Sequence, residues 1–293
     1  MTNKKAAVIP SKGIGDALLM MIASHQLHLH GYSVTTFHEK LNELQDWFLG
    51  HQFEKKEKFD ADQFDLIIAQ NDNSPLISSL ILHARNRLSI FYPTYYSYKH
   101  APLSKLDQLF DANEPMASNI AKSISTLLNS PLSKENGLCV PTHLVHHKYP
   151  KRIVIHPTSS LASKNWSAHR FIQVAKLLRK KGLDPVFAMS VEEKKEWGDA
   201  PFEIQAFEKL DSLAAFIFES GGLVGNDSLL GHLASNLNIP TVIIADNANL
   251  LKLWRPGWLS GSVVTPPSWL PNKIREKWWR ELISAKKVAK YFN

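Results

Sequence analysis

Two hydrophobic periods alternate along this chain, and their alternation predicts its elements. Ala6-Ala7-Val8-Ile9-Pro10 is a short β-type run. Ala17-Leu18-Leu19-Met20-Met21-Ile22 then opens a helix that reaches about His30 and stops at Gly31. Tyr32 to Phe37 reads as a second strand, Leu41 to Leu49 as a helix, and Phe64 to Ala69 as a strand. Pro75 to Leu82 is helical, Arg87 to Phe91 a weaker strand, and Glu114 to Leu128 another helix. Between Ser130 and Pro150 the periodicity dissolves into Pro, His, Lys and Asn, which marks a domain boundary.

The second half restarts the same order. Arg152 to His156 is a buried-type strand, and the polar loop Pro157 to Trp166 leads to Ser167, an N-cap for a helix with Phe171, Val174, Ala175, Leu177 and Leu178 on one face. Pro185 to Met189 is a strand, Glu192 to Trp197 begins a helix, and Leu213 to Phe218 is another. Leu223-Val224 ends a strand, and the turn Gly225-Asn226-Asp227-Ser228 precedes a helix carrying Leu230, Leu233, Ala234 and Leu237. Pro240 to Ile244 is the next strand. The tail from Asn272 to Tyr291 reads as one basic amphipathic helix with Ile274, Trp278 and Leu282 on its apolar stripe. It is expected to pack back on the first domain and bury Trp278, with Lys277, Lys286, Lys287 and Lys290 outward. Strand and helix thus alternate in two α/β domains, residues 1–148 and 149–293, with a ligand expected in the cleft between them.

Composition narrows the class. The 293 residues are 44% hydrophobic and 21% charged, as in a soluble globular protein, and hold no apolar run long enough to span a bilayer. The start of the chain lacks a signal-peptide core. One cysteine, Cys139, excludes an internal disulfide and fits a reducing cytosol. No His/Cys cluster has metal spacing; His143, His146 and His147 lie in the linker-like stretch. A net charge of +7 favours an anionic partner, and without a nucleic-acid motif a phosphorylated small molecule or a membrane surface fits as well.

Candidate chemistry falls in the polar loops, because open α/β sheets bind ligands at the carboxyl ends of their strands. Ser11-Lys12-Gly13-Ile14-Gly15-Asp16 lies between the first strand and helix, although its two glycines do not make the dinucleotide fingerprint. Asp16 falls in the first helical turn, where a carboxylate also serves the helix dipole. Asp227 and Ser228 offer an acceptor and a hydroxyl for sugar groups, and the helix start after them suits a phosphate. The stretch Tyr92 to His100 is aromatic and basic, either a packed surface loop or a contact for a sugar face.

Three motifs together resemble glycosyltransferase family 9, the bacterial heptosyltransferases of the lipopolysaccharide inner core. Ser11 to Leu18 is similar to the family's first loop, which ends in Gly-Asp before helix one. Ile155-His156-Pro157-Thr158-Ser159-Ser160 through Lys164-Asn165-Trp166 is similar to its second-domain opening. Gly225-Asn226-Asp227-Ser228 with His232-Leu233-Ala234 resembles its Asp-Thr/Ser-Gly signature followed by His-Leu, and Trp254-Arg255-Pro256 also fits. The chain departs from the pattern where Leu229 replaces the glycine and Ala245-Asp246-Asn247 replaces Gly-Pro-Thr.

The resemblance implies a GT-B architecture, two facing Rossmann-like domains with a cleft between them, with acceptor on the first and nucleotide-sugar on the second. It implies inverting transfer without a metal or cofactor: a sugar, heptose from ADP-heptose, passes to a phosphorylated glycolipid of the lipopolysaccharide core. Asp16 takes the position of general base, and Lys12 and Gly15 that of acceptor contacts. Thr158, Ser159, Lys164, Glu192, Asp227, Ser228, Leu229 and His232 take those of donor contacts, with Glu193 an alternative to Glu192 at the nucleoside. The implied setting is the cytoplasm, with peripheral contact at the inner membrane and no nucleic-acid partner. A GT-B transferase of another sugar, or a non-catalytic glycan-binding relative, would carry the same motifs.

Overall fold

The computed structural model describes residues 4–197, 201–247, 250–259 and 261–292, and the chain forms two compact units, 1–140 and 141–293. The division lies inside the aperiodic stretch, somewhat ahead of the expected boundary at 148/149.

In the first unit, β1 (Lys5–Ile9), α1 (Ile14–Leu29), β2 (Ser33–Phe37) and β3 (Gln52–Glu54) are followed by β4 (Leu66–Gln70), α2 (Pro75–His83), β5 (Leu88–Tyr92), β6 (Gln108–Leu109) and α3 (Met116–Leu128). Where a helix is expected over Leu41 to Leu49, residues Glu39–Trp47 form 3₁₀ turns with a kink at Leu44. The sheet order is β3-β2-β1-β4-β5-β6, every pairing parallel. Parallel strands are covered on both faces, which explains why β1, β4 and β5 read as continuous apolar runs rather than alternating ones. Ile9, Ala69, Ile77, Leu80, Leu88 and Ile90 belong to one core cluster of this unit, and α1 packs on β1, β2 and α3.

The second unit repeats the winding. It contains β7 (Tyr149–His156), α4 (Ala168–Lys180), β8 (Asp184–Ser190), α5 (Val191–Trp197), β9 (Ile204–Phe207), α6 (Leu210–Phe218), β10 (Ser220–Asn226), α7 (Leu229–Asn236), β11 (Thr241–Ile244), α8 (Leu250–Trp254), β12 (Ser262–Val264), α9 (Asn272–Leu282) and α10 (Ala285–Ala289). Its order is β12-β11-β10-β7-β8-β9, again parallel. In each sheet the strand order therefore reverses between the first and fourth strands, at β1/β4 and at β7/β10. Those are the two crevices where such sheets take ligands.

The tail corrects the expectation of one continuous helix that buries Trp278. Trp278 has non-helical backbone angles and is 49% exposed, and α9 and α10 are separated at Ile283. The buried stripe runs instead through Trp279, Ile283, Ala285, Val288, Ala289 and Phe292, and it joins the core of the second unit with Phe171, Val174 and Leu178 of α4. That stripe is taken up in the core of the second unit. Burying a side chain of this size contributes about 1.5–3 kcal/mol, so the stripe with the larger buried area fixes the helix's rotation. No helix among the described residues is long and apolar enough to cross a membrane.

Candidate active site

At the β1/β4 crevice the central group is Asp16. Gly13 caps α1 without any side-chain cap bond, which places Asp16 in the first helical turn. Its Oδ1 accepts a hydrogen bond from Gln70 Nε2 at 2.6 Å, and Gln70 Oε1 accepts from the Ser11 amide at 3.3 Å. Gln70 is the buried last residue of β4, the strand paired to β1, so one neutral amide ties the loop and the carboxylate to the sheet. A Cβ on Gly13 would lie 2.7 Å from Asp16 Oδ2, so the glycine gives the carboxylate room above the loop.

Two basic side chains stand beside this loop. Lys56 Nζ donates to the Pro10 carbonyl at 2.6 Å, and His38 Nε2 donates to the Lys12 carbonyl at 3.2 Å. Burial pushes the Lys56 ammonium below its usual range, opposed by the negative charges of Asp72 and Asp16. Burial also lowers the His38 imidazole, helped by Lys56 and opposed by the Lys12 carbonyl and the Asp16 and Glu39 carboxylates. Of the expected acceptor contacts, the Lys12 side chain is exposed and Gly15 is half-buried in the first turn of α1. The sequence reading did not single out Gln70, His38 or Lys56. Their one signal is position, since Gln70 ends a strand, His38 directly follows one, and Lys56 lies shortly after a third.

At the β7/β10 crevice the organiser is Asn226, the fully buried last residue of β10. Its Nδ2 donates to the Pro157 carbonyl at 2.7 Å and its Oδ1 accepts from the Trp166 amide at 2.9 Å. One side chain therefore holds both ends of the 157–166 loop. A Cβ at Gly225 would lie 2.9 Å from the His156 carbonyl, so the close approach of β10 to β7 requires glycine here.

On that loop Lys164 Nζ donates to Asp227 Oδ2 at 3.0 Å, with the lysine side chain 46% exposed. Ser159 Oγ donates to Asn165 Oδ1 at 2.7 Å. Ser228 is the N-cap of α7 in extended conformation, makes no side-chain cap bond, and keeps its hydroxyl buried without a hydrogen-bond partner among the described residues. Leu229, in place of the family's glycine, is half-buried at the first position of α7, and His232 is buried one turn on. The expected donor residues Lys164 and Asp227 are thus brought together, while Ser159 is engaged with its own loop.

Thr158 takes another partner. Its hydroxyl donates to Glu193 Oε1 at 2.6 Å. Glu193 Oε2 accepts from the Ser190 amide at 2.7 Å, and the Ser190 hydroxyl accepts from the Glu193 amide at 3.1 Å, a reciprocal box at the start of α5. Of the two glutamates considered from the sequence, Glu193 meets the loop, whereas Glu192 is exposed on α5. His156 donates from Nδ1 to the Ala188 carbonyl at 2.9 Å, and burial pushes its imidazole well below the usual range, against the Glu193 charge and that carbonyl. Among the described residues no group of three His, Cys, Asp or Glu side chains is gathered as a metal site requires.

The family model of glycosyltransferase family 9 (heptosyltransferase) matches residues 61–244, more than half of the chain. The chain belongs to glycosyltransferase family 9. It is a glycosyltransferase, and its two six-stranded parallel units have the GT-B fold of the heptosyltransferases. The ADP-heptose lipopolysaccharide heptosyltransferase II of E. coli is similar to it at 16% identity and a TM-score of 0.70, over 99% of this chain and 97% of that one. The family 9 glycosyltransferase of Veillonella parvula is similar at 17% identity and a TM-score of 0.70, over 99% and 96%. The E. coli heptosyltransferase WaaC, solved with ADP, is similar at 14% identity and a TM-score of 0.64, over 98% of each chain. No curated protein matches the sequence.

Proposed function

We propose that this family 9 glycosyltransferase moves a heptose from ADP-heptose to a hydroxyl of a phosphorylated glycolipid of the lipopolysaccharide core, with inversion and without a metal. The observation that carries the donor half is the Lys164–Asp227 pair at the start of α7. The diphosphate of a nucleotide-sugar carries two negative charges and gains a third as it leaves, and without a metal these need a fixed cation and N–H donors. Lys164 supplies the cation and the first turn of α7 the donors, while Asp227 and the Ser228 hydroxyl suit sugar hydroxyls. Solved relatives named for ADP-heptose or holding ADP support the choice of nucleotide.

Asp16 is the general base in this reading. Gln70 holds the carboxylate through Oδ1, which leaves Oδ2 to take the acceptor proton. As the acceptor oxygen bonds to the anomeric carbon, the bond from that carbon to the diphosphate oxygen breaks and its electron pair leaves with ADP. Attack opposite the leaving group inverts the centre. Lys12 and Gly15 lie on the acceptor side of the same loop, and Lys56 and His38 add positive or dipolar character behind it.

Calorimetric titration with ADP and UDP, followed by a transfer assay with ADP-heptose, tests the reading. It expects ADP to bind more tightly than UDP and to be released on transfer. Tighter UDP binding would assign another nucleotide-sugar, and no binding of either nucleotide by folded protein would remove the donor assignment. The glycolipid acceptor implies work at the cytoplasmic face of the inner membrane. Exposed Lys277, Lys286 and Lys290 with exposed Trp269, Ile274 and Trp278 suit an anionic lipid surface. Absence of cosedimentation with anionic vesicles at low salt would overturn that contact.

A further inference from the structure

A guanidinium from the C-terminal region reaches the loop that carries Lys164. Arg280 of α9 donates from Nε to the Asn165 carbonyl at 2.7 Å and from Nη2 to the Ser163 carbonyl at 2.7 Å, with the Ala162 carbonyl at 3.4 Å. The carbonyls on both sides of Lys164 are therefore held by one side chain. The contact is reciprocal, because the indole Nε1 of Trp166, at the end of the same loop, donates to the Arg280 carbonyl at 2.8 Å. Residues Ala162–Lys164 form a single 3₁₀ turn, and a turn so short leaves its last carbonyls without partners in its own backbone. A planar fork with several N–H donors can meet such diverging acceptors, which a lysine cannot do from one nitrogen.

Arg280 is itself anchored. Its guanidinium lies 4.8 Å from the ring centroid of Trp279, and Trp279 is 3% exposed in the core of the second unit. Arg170 Nη2 donates to the neighbouring Glu281 carbonyl at 3.4 Å, which adds a second tie between α4 and the end of α9. A continuous path thus leads from the core through Trp279 and Arg280 to the backbone on either side of Lys164.

We infer that Arg280 is a positioning residue for donor binding: it touches no substrate, but holds the 162–165 backbone so that the Lys164 ammonium stands at the diphosphate. The inference rests on the assignment of Lys164 to the diphosphate under the proposed function. A half-exposed lysine on a free loop would have to be ordered each time a diphosphate binds, and Arg280 makes that ordering part of the fold. The effect belongs to the diphosphate alone, because the nucleoside does not use Lys164.

The test is the affinity of ADP and of adenosine for the full chain, for Arg280→Ala, for Lys164→Ala and for the double variant. Arg280→Ala should weaken ADP about tenfold, the scale of ordering one extra residue of backbone, and leave adenosine unchanged. In the Lys164→Ala background the same substitution should cost almost nothing further, since the two act in series. Arg280→Lys keeps the stem over Trp279 and should fall between wild type and Arg280→Ala, which covers the case that the alanine variant folds poorly. Unchanged ADP affinity in both Arg280 variants, an equal loss for adenosine, or an equal loss with and without Lys164 would each overturn the inference. Normal ADP binding by Lys164→Ala would instead overturn the assignment of Lys164 on which it rests.

Discussion

The two units are wound alike and furnished differently. In each sheet the strand order reverses between the first and fourth strands, so β1/β4 in one and β7/β10 in the other present the same kind of crevice. In both, the last residue of the fourth strand is a buried amide, Gln70 or Asn226, that reaches across to the loop after the first strand. The two amides serve opposite charges. Gln70 hands its N–H to a carboxylate, Asp16, with half-buried Lys56 and buried His38 nearby, whereas Asn226 uses donor and acceptor on backbone and leaves a cation, Lys164, on the loop it closes. Winding decides where a ligand lies, and the residues that the strand-end amide holds decide which charge it meets. A carboxylate suits removal of a proton, and a cation suits a leaving diphosphate.

The largest expected effect strikes the carboxylate side. Asp16→Asn should lower turnover about 10²–10⁴-fold, the usual contribution of a general base. Gln70 can still meet the side-chain oxygen of the new amide, and Gly13 needs no cap bond from this residue, so melting temperature and ADP affinity should stay near wild type. Wild-type turnover with a lowered melting temperature would make Asp16 a structural residue and dissolve the contrast between the units.

Asn226→Ala sharpens the contrast from the other side. The substitution strands the Pro157 carbonyl and the Trp166 amide, both in buried bonds, at about 1–3 kcal/mol for each group left unsatisfied. Hydrogen exchange should report the loss across β7 and β10 and leave β1 and β4 protected as before. Equal loosening of both units would mean that the amide is not a local lock.

The winding was legible in the sequence because parallel strands bury both faces and write themselves as apolar runs such as Ala6 to Ile9 and Val242 to Ile244. Very short strands with half-buried sides, β3, β6, β9 and β12, left no such run and were missed. The phase of the C-terminal helix was misread by one position, since adjacent Trp278 and Trp279 give either stripe a tryptophan and only packing on α4 selects the second. Loop motifs contain Asp16, Lys164 and Asp227, and Asn226 beside them, but not the contacts that hold these side chains. Gln70, Asn226 and Arg280 act across 54, 60 and more than a hundred residues of chain, and no local pattern records such contacts.

Lys164→Ala comes next in size. A charge-assisted contact to the diphosphate is worth about 1.5–3 kcal/mol, so ADP affinity should fall by that amount while adenosine binds nearly as before. The lysine end of the pair is about half exposed, with Asp227 19% exposed, so solvent screens the contact and its loss should change stability by about 1 kcal/mol or less. An equal fall for ADP and adenosine would place Lys164 in the scaffold and leave the second crevice without its cation.

The smallest effect separates the units by acid. His51 of the first unit is nearly buried, with His25 Nδ1 3.3 Å from its Nε2 and the His28 ring 5.5 Å away. Burial, reinforced by those two imidazoles, pushes its pKa down to about 4 from the ordinary 6.5. Between these values the unfolded chain holds a proton that the folded unit does not, so stability rises with pH across the window and falls as acid is added. His156 is lowered in the same sense in the second unit, so acid weakens both. His51→Gln removes the titration while keeping a polar end for His25, and should flatten the decline between pH 6.5 and about 4 in the first unit only. Hydrogen exchange of β1, β2 and β4 measured over that range, with β7 and β10 as the internal reference, reads the difference. An unchanged decline in the first unit would mean that the proton is taken up elsewhere, with His25 and His38, also lowered by burial, as the remaining imidazoles.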